Sequence, residues 1–351
     1  MAESSVRSQL KSQISLRKQD IISATHYLVA AASLNPPGDT TLVAEAAADL
    51  LGKDFKRSSR PKTCLQWTHG HLSDLRTPQL DSPTLDGVLK DGRVYGRGVS
   101  DLKGGIAASI MAATVLAEQK HLWSGEVVLT LAGDEESMGS LGTKWLLDNV
   151  EAARGDAMVC GDVGSPNVVR FGEKGFCWFE ITACGVSAHG AHVHKGINAI
   201  DRLRKVLDAV ERLENFVVDA PREVSKAIAA ASQVSEAAPG EGEPQTLHEA
   251  TAEGDIRLPV GISVAQVEEH LHKSLDAMPG VSWRMIRSHK PTYTSPTHPL
   301  VQTALSASEE VMGLGTKSVV NMRVDEYVMA GELVKVAQIH ALIAYEFLKP
   351  K

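Results

Sequence analysis

The sequence predicts an α/β protein with a central, mostly parallel sheet that is interrupted by an inserted α+β domain. In the first half of the chain, short apolar runs alternate with segments whose apolar residues recur at helical spacing, which is typical of a parallel sheet covered by helices. Beyond residue 172 the order changes to strand, helix, strand, helix, strand. Near the C-terminus the chain returns to helices and strands that resemble those of the first half. We therefore expect one domain made of residues 1–173 and 290–351, interrupted by a smaller domain at residues 174–289.

The elements of the first domain follow from apolar spacing and from turn residues. A helix is predicted over residues 8–32, where an Asn-Pro-Pro-Gly turn follows, and a second helix is predicted with Thr41 as its N-cap. The elements after it are, in chain order, a strand at 64–68, a helix at 104–120, a strand at 125–131, a helix at 140–153 and a buried strand at 157–160.

The inserted domain shows a different pattern. Residues 175–184 alternate as a sheet strand does, and a long amphipathic helix follows over residues 196–216, starting near Asn198. The remaining segments are a loop rich in Ala, Glu, Pro and Gly at 232–245, a strand at 251–258, a helix at 263–278 capped by Ser263, and a strand at 281–287. Together these elements make a compact α+β unit.

The composition is that of a soluble protein without affinity for polyanions. The 351 residues include 36 Lys and Arg against 43 Asp and Glu, a net charge of −7, so we expect neither nucleic-acid nor membrane binding. The four cysteines form no CxxC pair, which indicates reduced thiols in a cytoplasmic protein. We expect no apolar stretch of the roughly 20 residues that span a membrane, and the polar N-terminus does not resemble a signal peptide.

Side chains that can bind a metal follow four successive strand ends or turns. They are His71, Asp101, the pair Glu135 and Glu136, and Asp162. Since ligands of an α/β sheet bind where its strands end, we expect these side chains at one edge of the sheet. Taken singly, each also fits a solvated loop acid, a structural histidine or a helix cap. Their recurrence in order favours a site for a divalent transition metal ion, and zinc, manganese and cobalt are all compatible with it.

The motifs around these residues resemble those of the metal-dependent hydrolases that include acetylornithine deacetylase, succinyl-diaminopimelate desuccinylase, aminoacylase and carboxypeptidase G. The matching segments are Gly70-His71, YGRGVSDLKGG, GDEESMGSLGT, Gly161-Asp162, GVSAHGAHVHKGINAI, EGDIRLPVGIS and VDEYV. The resemblance implies a metallo-exopeptidase-like catalytic domain. It also implies metal ligands at His71, Asp101, Glu136 and Asp162, with Asp101 as the bridging acid, and a general base at Glu135.

For the inserted domain, the resemblance implies a lid that also joins two copies of the chain in a homodimer or larger homo-oligomer. His189 would reach across the dimer to polarise the scissile group, and Arg257 would hold a carboxylate of a small-molecule substrate. Residues 1–173 and 290–351 would then be the catalytic, metal-binding domain.

Two positions depart from the family's pattern. The family has a histidine where this chain has Met322, and a thioether is a poor ligand beside carboxylates, so we expect one metal ion per chain. Glu136 would either join that ion or lie beside it. The family's His-x-Asp motif here reads His71-Leu-Ser73-Asp74, so either Ser73 or Asp74 would orient the ring of His71.

These features predict hydrolysis of a C–N bond by a metal-activated water, with Glu135 as the base. One metal suffices when negative charge spreads into an aromatic ring, and the chain is similar to the family's aromatic aminohydrolases. Our first expectation is therefore deamination of 5-nitroanthranilate to 5-nitrosalicylate and ammonia. The alternatives are an N-acyl-amino-acid deacylase or desuccinylase, an aminoacyl carboxypeptidase, and a binding protein that lost catalysis with Met322.

Overall fold

The computed structural model describes residues 3–33, 38–52, 87–135, 139–162, 166, 169–232, 251–313 and 327–350. The chain divides into two compact units. The first unit is made of Met1–Val169 and Gln302–Lys351, and the second is made of Arg170–Val301. The limits of 174–289 that the sequence suggests for an inserted domain lie inside those of the second unit.

Helices and short strands alternate along the described residues. The helices are α1 (Glu3–Leu16), α2 (Lys18–Ala30), α3 (Thr41–Leu51), α4 (Gly104–Glu118), α5 (Thr143–Asn149), α6 (Ala199–Glu211), α7 (Arg222–Ser232), α8 (Val264–Leu275), α9 (Pro299–Met312) and α10 (Ala330–Leu348). The strands are β1 (Val88–Lys90), β2 (Arg93–Tyr95), β3 (Gly172–Glu173), β4 (Gly175–Ala183), β5 (Thr251–Leu258), β6 (Val281–His289), β7 (Thr292–Tyr293) and β8 (Tyr327–Met329).

Helix α4 forms the centre of the first unit. Most of its residues are buried because helices pack on two sides of it. Helices α1 and α10 lie on one side, where Leu10 and Leu116 share a core. Helices α2 and α3 lie on the other side, where Leu28 and Ile110 share a second core. The many alanines of α4 let its neighbours approach closely.

The segment Val99–Glu118, which contains α4, corrects one expectation from the sequence. By length and composition alone it is apolar enough to cross a membrane. In the structure, 67% of its most apolar 18-residue stretch is buried within the protein. Packing against the neighbouring helices therefore accounts for its apolar character.

The predicted helix over residues 8–32 is two helices in the structure. Helix α1 ends at Leu16 and α2 begins at Lys18, and between them Arg17 leaves the helical backbone conformation, with φ −96° and ψ 19°. The guanidinium of Arg17 pairs with Glu118 at the end of α4, at 2.6 Å. Buried residues recur at helical spacing on both sides of this break, so the sequence pattern merges the two helices.

The predicted strands of the first unit are the weakest part of the sequence interpretation. The segment 64–68 lies outside the described residues, and neither 125–131 nor 157–160 forms a strand within them. Residues 125–131 still alternate between partly buried and exposed positions. At 157–160 the side chain of Met158 is 74% exposed, so the predicted burial of that segment is wrong. An apolar run is buried only where another element covers it.

All strand pairs among the described residues are antiparallel. The orders are β1–β2–β8 in the first unit, and β3–β7 and β5–β4–β6 in the second. The mostly parallel pairing that the sequence predicts for the central sheet is not among them.

The second unit agrees well with the sequence prediction. Strand β4 is the central strand, and helices α6 and α8 cover the face that carries Cys177, Phe179 and Ile181. Burial alternates along most of β4, which confirms the predicted strand.

Both predicted helix caps of this unit are present. The side chain of Asn198 accepts a hydrogen bond from the backbone N–H of Ile200 at the start of α6. Ser263 and Gln266 form a reciprocal capping box at the start of α8. Helix α7 is an addition, because the sequence interpretation assigned no element there. Most of the predicted loop at 232–245 lies outside the described residues.

Candidate functional site

Asp101 lies in a tight turn, Val99–Lys103, directly before α4. Gly98 precedes the turn with φ +74°, a left-handed conformation that favours glycine, and its carbonyl accepts the backbone N–H of Lys103 at 2.8 Å. The Nζ of Lys103 donates to the carbonyl oxygen of Ala31, also at 2.8 Å. The chain is therefore held on both sides of this carboxylate.

Asp162 is brought to the same region by a close contact between two glycines. A Cβ placed on Gly105, in the first turn of α4, would lie 2.1 Å from the carbonyl oxygen of Gly161. Only glycine permits this approach, so the backbone next to Asp162 rests on the helix that follows the Asp101 turn. The structure thus brings together the segments that carry two of the predicted metal ligands.

Glu135 follows a buried carboxylate that organises its loop. Asp134 is 6% exposed, and its Oδ2 accepts the backbone N–H of Leu141 at 2.6 Å. The carbonyl oxygen of Asp134 accepts the N–H of Gly139 at 2.7 Å. These bonds tie Asp134 to Gly139 and Leu141, while Glu135 itself is exposed. A carboxylate in this position can exchange protons with water.

Five of the predicted site residues lie outside the described residues. They are His71, Ser73, Asp74, Glu136 and Met322. Within the described part of the chain, no three His, Cys, Asp or Glu side chains are grouped so that they could hold a metal ion.

The donors that the structure describes fit a divalent cation in kind. Asp101 and Asp162 offer carboxylate oxygens from two segments that the Gly105–Gly161 contact holds together. An imidazole and a further carboxylate, as predicted at His71 and Glu136, would complete a four-ligand set.

His189 belongs to the second unit and lies in a loop between β4 and α6. Reciprocal backbone hydrogen bonds between Val186 and Ile197, both 2.9 Å, close this loop. The Nδ1 of His189 accepts the N–H of Ala191 at 3.2 Å. In the neutral ring the proton must then be on Nε2, which leaves Nε2 as a hydrogen-bond donor. This tautomer suits the predicted role of polarising an oxygen.

Arg257 lies on β5, in register with Phe176 on β4. Its side chain is 57% exposed and forms an ion pair with Asp255, with 2.8 Å between Nη2 and Oδ2. The Nε of Arg257 donates to the same oxygen at 2.9 Å. Because a guanidinium has five N–H donors, this pairing occupies only part of its capacity to bind a carboxylate.

The sequence interpretation missed Ser109 and His340, which lie beside the contact of Gly105 with Gly161. The Nδ1 of His340 on α10 is 3.1 Å from the Oγ of Ser109 on α4. Burial lowers the pKa of His340 to about 4. The only sequence signal was a histidine within the apolar pattern of the last helix, which by itself is ordinary in a protein core.

Comparison with known proteins connects this site to a family. The sequence model described as Peptidase family M20/M25/M40 matches residues 78–348. This range contains Asp101, Glu135, Asp162, His189 and Arg257, and it begins after the predicted histidine ligand.

Curated relatives match part of the chain. The succinyl-diaminopimelate desuccinylase of Paracoccus denitrificans is 36% identical over 132 residues, which cover 36% of this chain and 34% of that protein. A desuccinylase of Cereibacter sphaeroides is 29% identical over 213 residues, 54% of this chain and 56% of that protein. The chain thus spans about a third to a half of the length of these relatives.

Solved structures with a similar fold match nearly the full length of the chain. Human carnosine dipeptidase 1 superposes with a TM-score of 0.67 at 14% identity, over 97% of this chain and 98% of that one. An M20 family metallo-carboxypeptidase from Sulfolobus solfataricus superposes with a TM-score of 0.61 at 15% identity, over 93% and 99%. These likenesses confirm the predicted α/β metallo-exopeptidase-like fold.

Proposed function

The chain belongs to peptidase family M20/M25/M40, and we propose on this basis that it hydrolyses the amide bond of an N-acyl amino acid or a dipeptide. The observation that carries the proposal is the contact of Gly105 with Gly161, which holds the segments of Asp101 and Asp162 together. Enzymes of this family use divalent metal ions, usually zinc. Two carboxylate-bearing segments held together in such a chain are best explained as part of that metal site.

The proposed ligands are His71, Asp101, Asp162 and Glu136. A divalent ion, when bound, supplies a Lewis acid that makes a nearby water more acidic and polarises a carbonyl oxygen. We further propose one ion per chain, because Met322 is a poor substitute for the histidine that the family has at that position.

Glu135 is proposed to move the proton. Its carboxylate takes a proton from the attacking water as the water oxygen bonds to the carbonyl carbon, and it later gives that proton to the nitrogen as the C–N bond breaks. The products are a carboxylate and an amine. The exposed position of Glu135, after the buried Asp134, suits a group that must meet both water and substrate.

The second unit is proposed to bind and orient the substrate. The Nε2–H of His189 would donate to the oxygen on which negative charge develops. The guanidinium of Arg257 would bind the substrate carboxylate, a pairing for which its planar set of donors is well suited. A homodimer formed through this unit stays a prediction, as does the cytoplasmic location, and light scattering on the purified protein tests the dimer.

Two observations bear on the choice of substrate. The relatives and structural neighbours are named as desuccinylases, a dipeptidase and a carboxypeptidase, which favours an amide or peptide bond over the aromatic amine that we expected first. The loss of the histidine at Met322 is the one feature that favours the aromatic reaction of 5-nitroanthranilic acid aminohydrolase. That reaction stays a prediction and is the second candidate.

A substrate panel separates these candidates. Zinc- or manganese-loaded protein is incubated with N-succinyl and N-acetyl amino acids, dipeptides and 5-nitroanthranilate, and released amine and ammonia are measured separately. We expect amine from an acyl amino acid or dipeptide, and none from Glu135→Gln. Ammonia from 5-nitroanthranilate alone would establish the second candidate. Turnover of no substrate by folded, metal-loaded protein would favour a binding protein.

Metal analysis of the same samples tests the stoichiometry. We expect one tightly held ion per chain after loading and removal of excess metal. Two ions held with equal strength would contradict the proposed role of Met322. A Met322→His variant is the matched comparison, because it restores the family's ligand type at this position.

A further inference from the structure

Helix α10 places a histidine directly behind the segment that carries Asp162. The Nδ1 of His340 is 3.1 Å from the Oγ of Ser109 on α4. That hydroxyl donates in turn to the carbonyl oxygen of Gly105, at 2.9 Å. Three residues from two helices thus form one chain of hydrogen bonds that ends in the first turn of α4.

The direction of these hydrogen bonds is determined by the available protons. A serine hydroxyl carries one proton, and here it goes to Gly105. The bond between the ring and the hydroxyl therefore runs from the Nδ1–H of His340 to the Oγ of Ser109. Burial keeps the ring neutral at physiological pH, because it lowers the pKa to about 4. With the serine proton on Gly105, this bond requires the tautomer of His340 that carries its proton on Nδ1.

Gly161 rests against this pair of side chains. A Cβ on Gly161 would lie 2.9 Å from the Oγ of Ser109 and 3.4 Å from the Cε1 of His340. The carbonyl oxygen of Gly161 also lies so close to Gly105 that a side chain there would collide with it, at 2.1 Å. A side chain at Gly161 would therefore collide with Ser109 and touch the ring of His340, so the backbone before Asp162 lies close to both residues.

We propose that Ser109 and His340 are positioning residues of the metal site, which set the spacing between Asp101 and Asp162. Ser109 is anchored to the helix that follows the Asp101 turn, and His340 holds Ser109 in place and backs the Gly161–Asp162 segment. A bound ion requires ligand distances correct to a few tenths of an ångström. This inference rests on the proposed ligand roles of the two carboxylates and is independent of the substrate.

The alternative is a purely structural role, in which the pair only stabilises the packing of α10 on α4. The two roles differ in what a substitution changes. Loss of a packing contact lowers the free energy of unfolding and leaves the metal affinity of the folded protein unaltered. Loss of a positioning contact weakens metal binding even where the protein is fully folded.

The test measures zinc affinity by competition with a chromogenic chelator, at a temperature well below the unfolding transition of each variant. We expect at least tenfold weaker binding in Ser109→Ala and in His340→Leu. His340→Asn should bind nearly as the unaltered chain does, because the amide N–H of asparagine can replace Nδ1–H. Rescue by asparagine distinguishes the hydrogen bond from the volume of the ring.

The matched control is His270→Leu in the second unit. His270 on α8 is likewise a partly buried histidine near a serine, since its Nε2 lies 3.4 Å from the Oγ of Ser274 and 3.0 Å from the carbonyl oxygen of Ala209. The His270→Leu substitution should lower the stability of the protein and leave its zinc affinity unchanged. If His340→Leu does not fold, Ser109→Ala, which removes one oxygen from α4, decides the question. Unchanged affinity in folded Ser109→Ala would overturn the inference. Absence of zinc binding in the unaltered chain would instead overturn the proposed function.

Discussion

The ammonium group of Lys103 donates a hydrogen bond to the carbonyl oxygen of Ala31 at 2.8 Å, although the lysine is only 1% exposed. Ala31 is the C-cap residue of α2, so the buried charge meets the end of a helix where carbonyl groups point outward and cations are stabilised. Lys103 is two residues from Asp101. The bond therefore links the position of a proposed metal ligand to the end of another helix.

Replacement of Lys103 by methionine is expected to destabilise the protein and to weaken metal binding. The variant keeps the apolar stem but leaves the carbonyl of Ala31 without this donor, a loss of about 1–3 kcal/mol in the free energy of unfolding. Urea unfolding and zinc competition measure the two effects. The control is Lys90→Met on β1, whose lysine is exposed and which should change stability by less than about 0.5 kcal/mol. Unchanged zinc affinity in Lys103→Met would show that the bond does not position Asp101.

Glu135→Gln is expected to lose most of the turnover and to keep its metal. Glutamine has the shape of the carboxylate but cannot accept the proton of water, and general base catalysis contributes about 10²–10⁴-fold. The measurements are kcat on the best substrate of the panel and bound metal per chain. In water labelled with oxygen-18, the unaltered chain should place the label in the carboxylate product and none in the amine. Near-normal turnover by Glu135→Gln would end this assignment.

Arg257→Met is expected to raise KM for carboxylate-bearing substrates at least tenfold, since a charge-assisted pair is removed. The melting temperature should change little, because the pair with Asp255 is exposed and such pairs contribute about 0–1 kcal/mol. The comparison variant is Asp255→Asn, which removes the competing carboxylate and should lower KM. Equal KM values in all three proteins would show that Arg257 does not contact the substrate.

His189→Ala, tested alongside, should lower kcat rather than raise KM.

The stability of the protein is expected to fall as the pH falls from about 6.5 to about 4, in part because of His340. Burial lowers the pKa of this ring in the folded state from 6.5 to about 4. Between these values the unfolded chain binds a proton that the folded chain does not, so acid favours unfolding. The contribution is about 3 kcal/mol at most. Urea unfolding at several pH values measures it.

His340→Asn is the reference for this pH dependence, because it retains a hydrogen-bond donor and has no group that titrates in this range. The difference in stability between the two proteins should shrink or reverse as the pH falls below 6.5. His26, whose pKa burial also lowers, is present in both proteins and cancels in the comparison. If the stabilities of the two proteins change with pH in parallel, the pKa of His340 is the same in the folded and the unfolded chain.

Local sequence patterns predicted much of the second unit. Asn198 and Ser263 cap the helices that they were expected to cap, and alternation predicted β4. Each of these features depends on neighbours within a few residues, so it can be inferred without knowledge of the fold. The first unit was harder, because the break at Arg17 and the exposure of Met158 depend on which elements pack against those residues.

By itself, the sequence determined which chemical groups this protein can bring to a site, because the chemistry of a ligand or a base belongs to the residue type. It identified Asp101, Glu135 and Asp162 as candidates by their residue type and by the glycines around them. Only the tertiary structure decided that the Asp162 segment rests on α4 and that the Ser109–His340 pair lies behind it. Ser109 and His340 are 231 positions apart in the chain. A contact at that separation depends on how α10 packs on α4, and no local pattern encodes it.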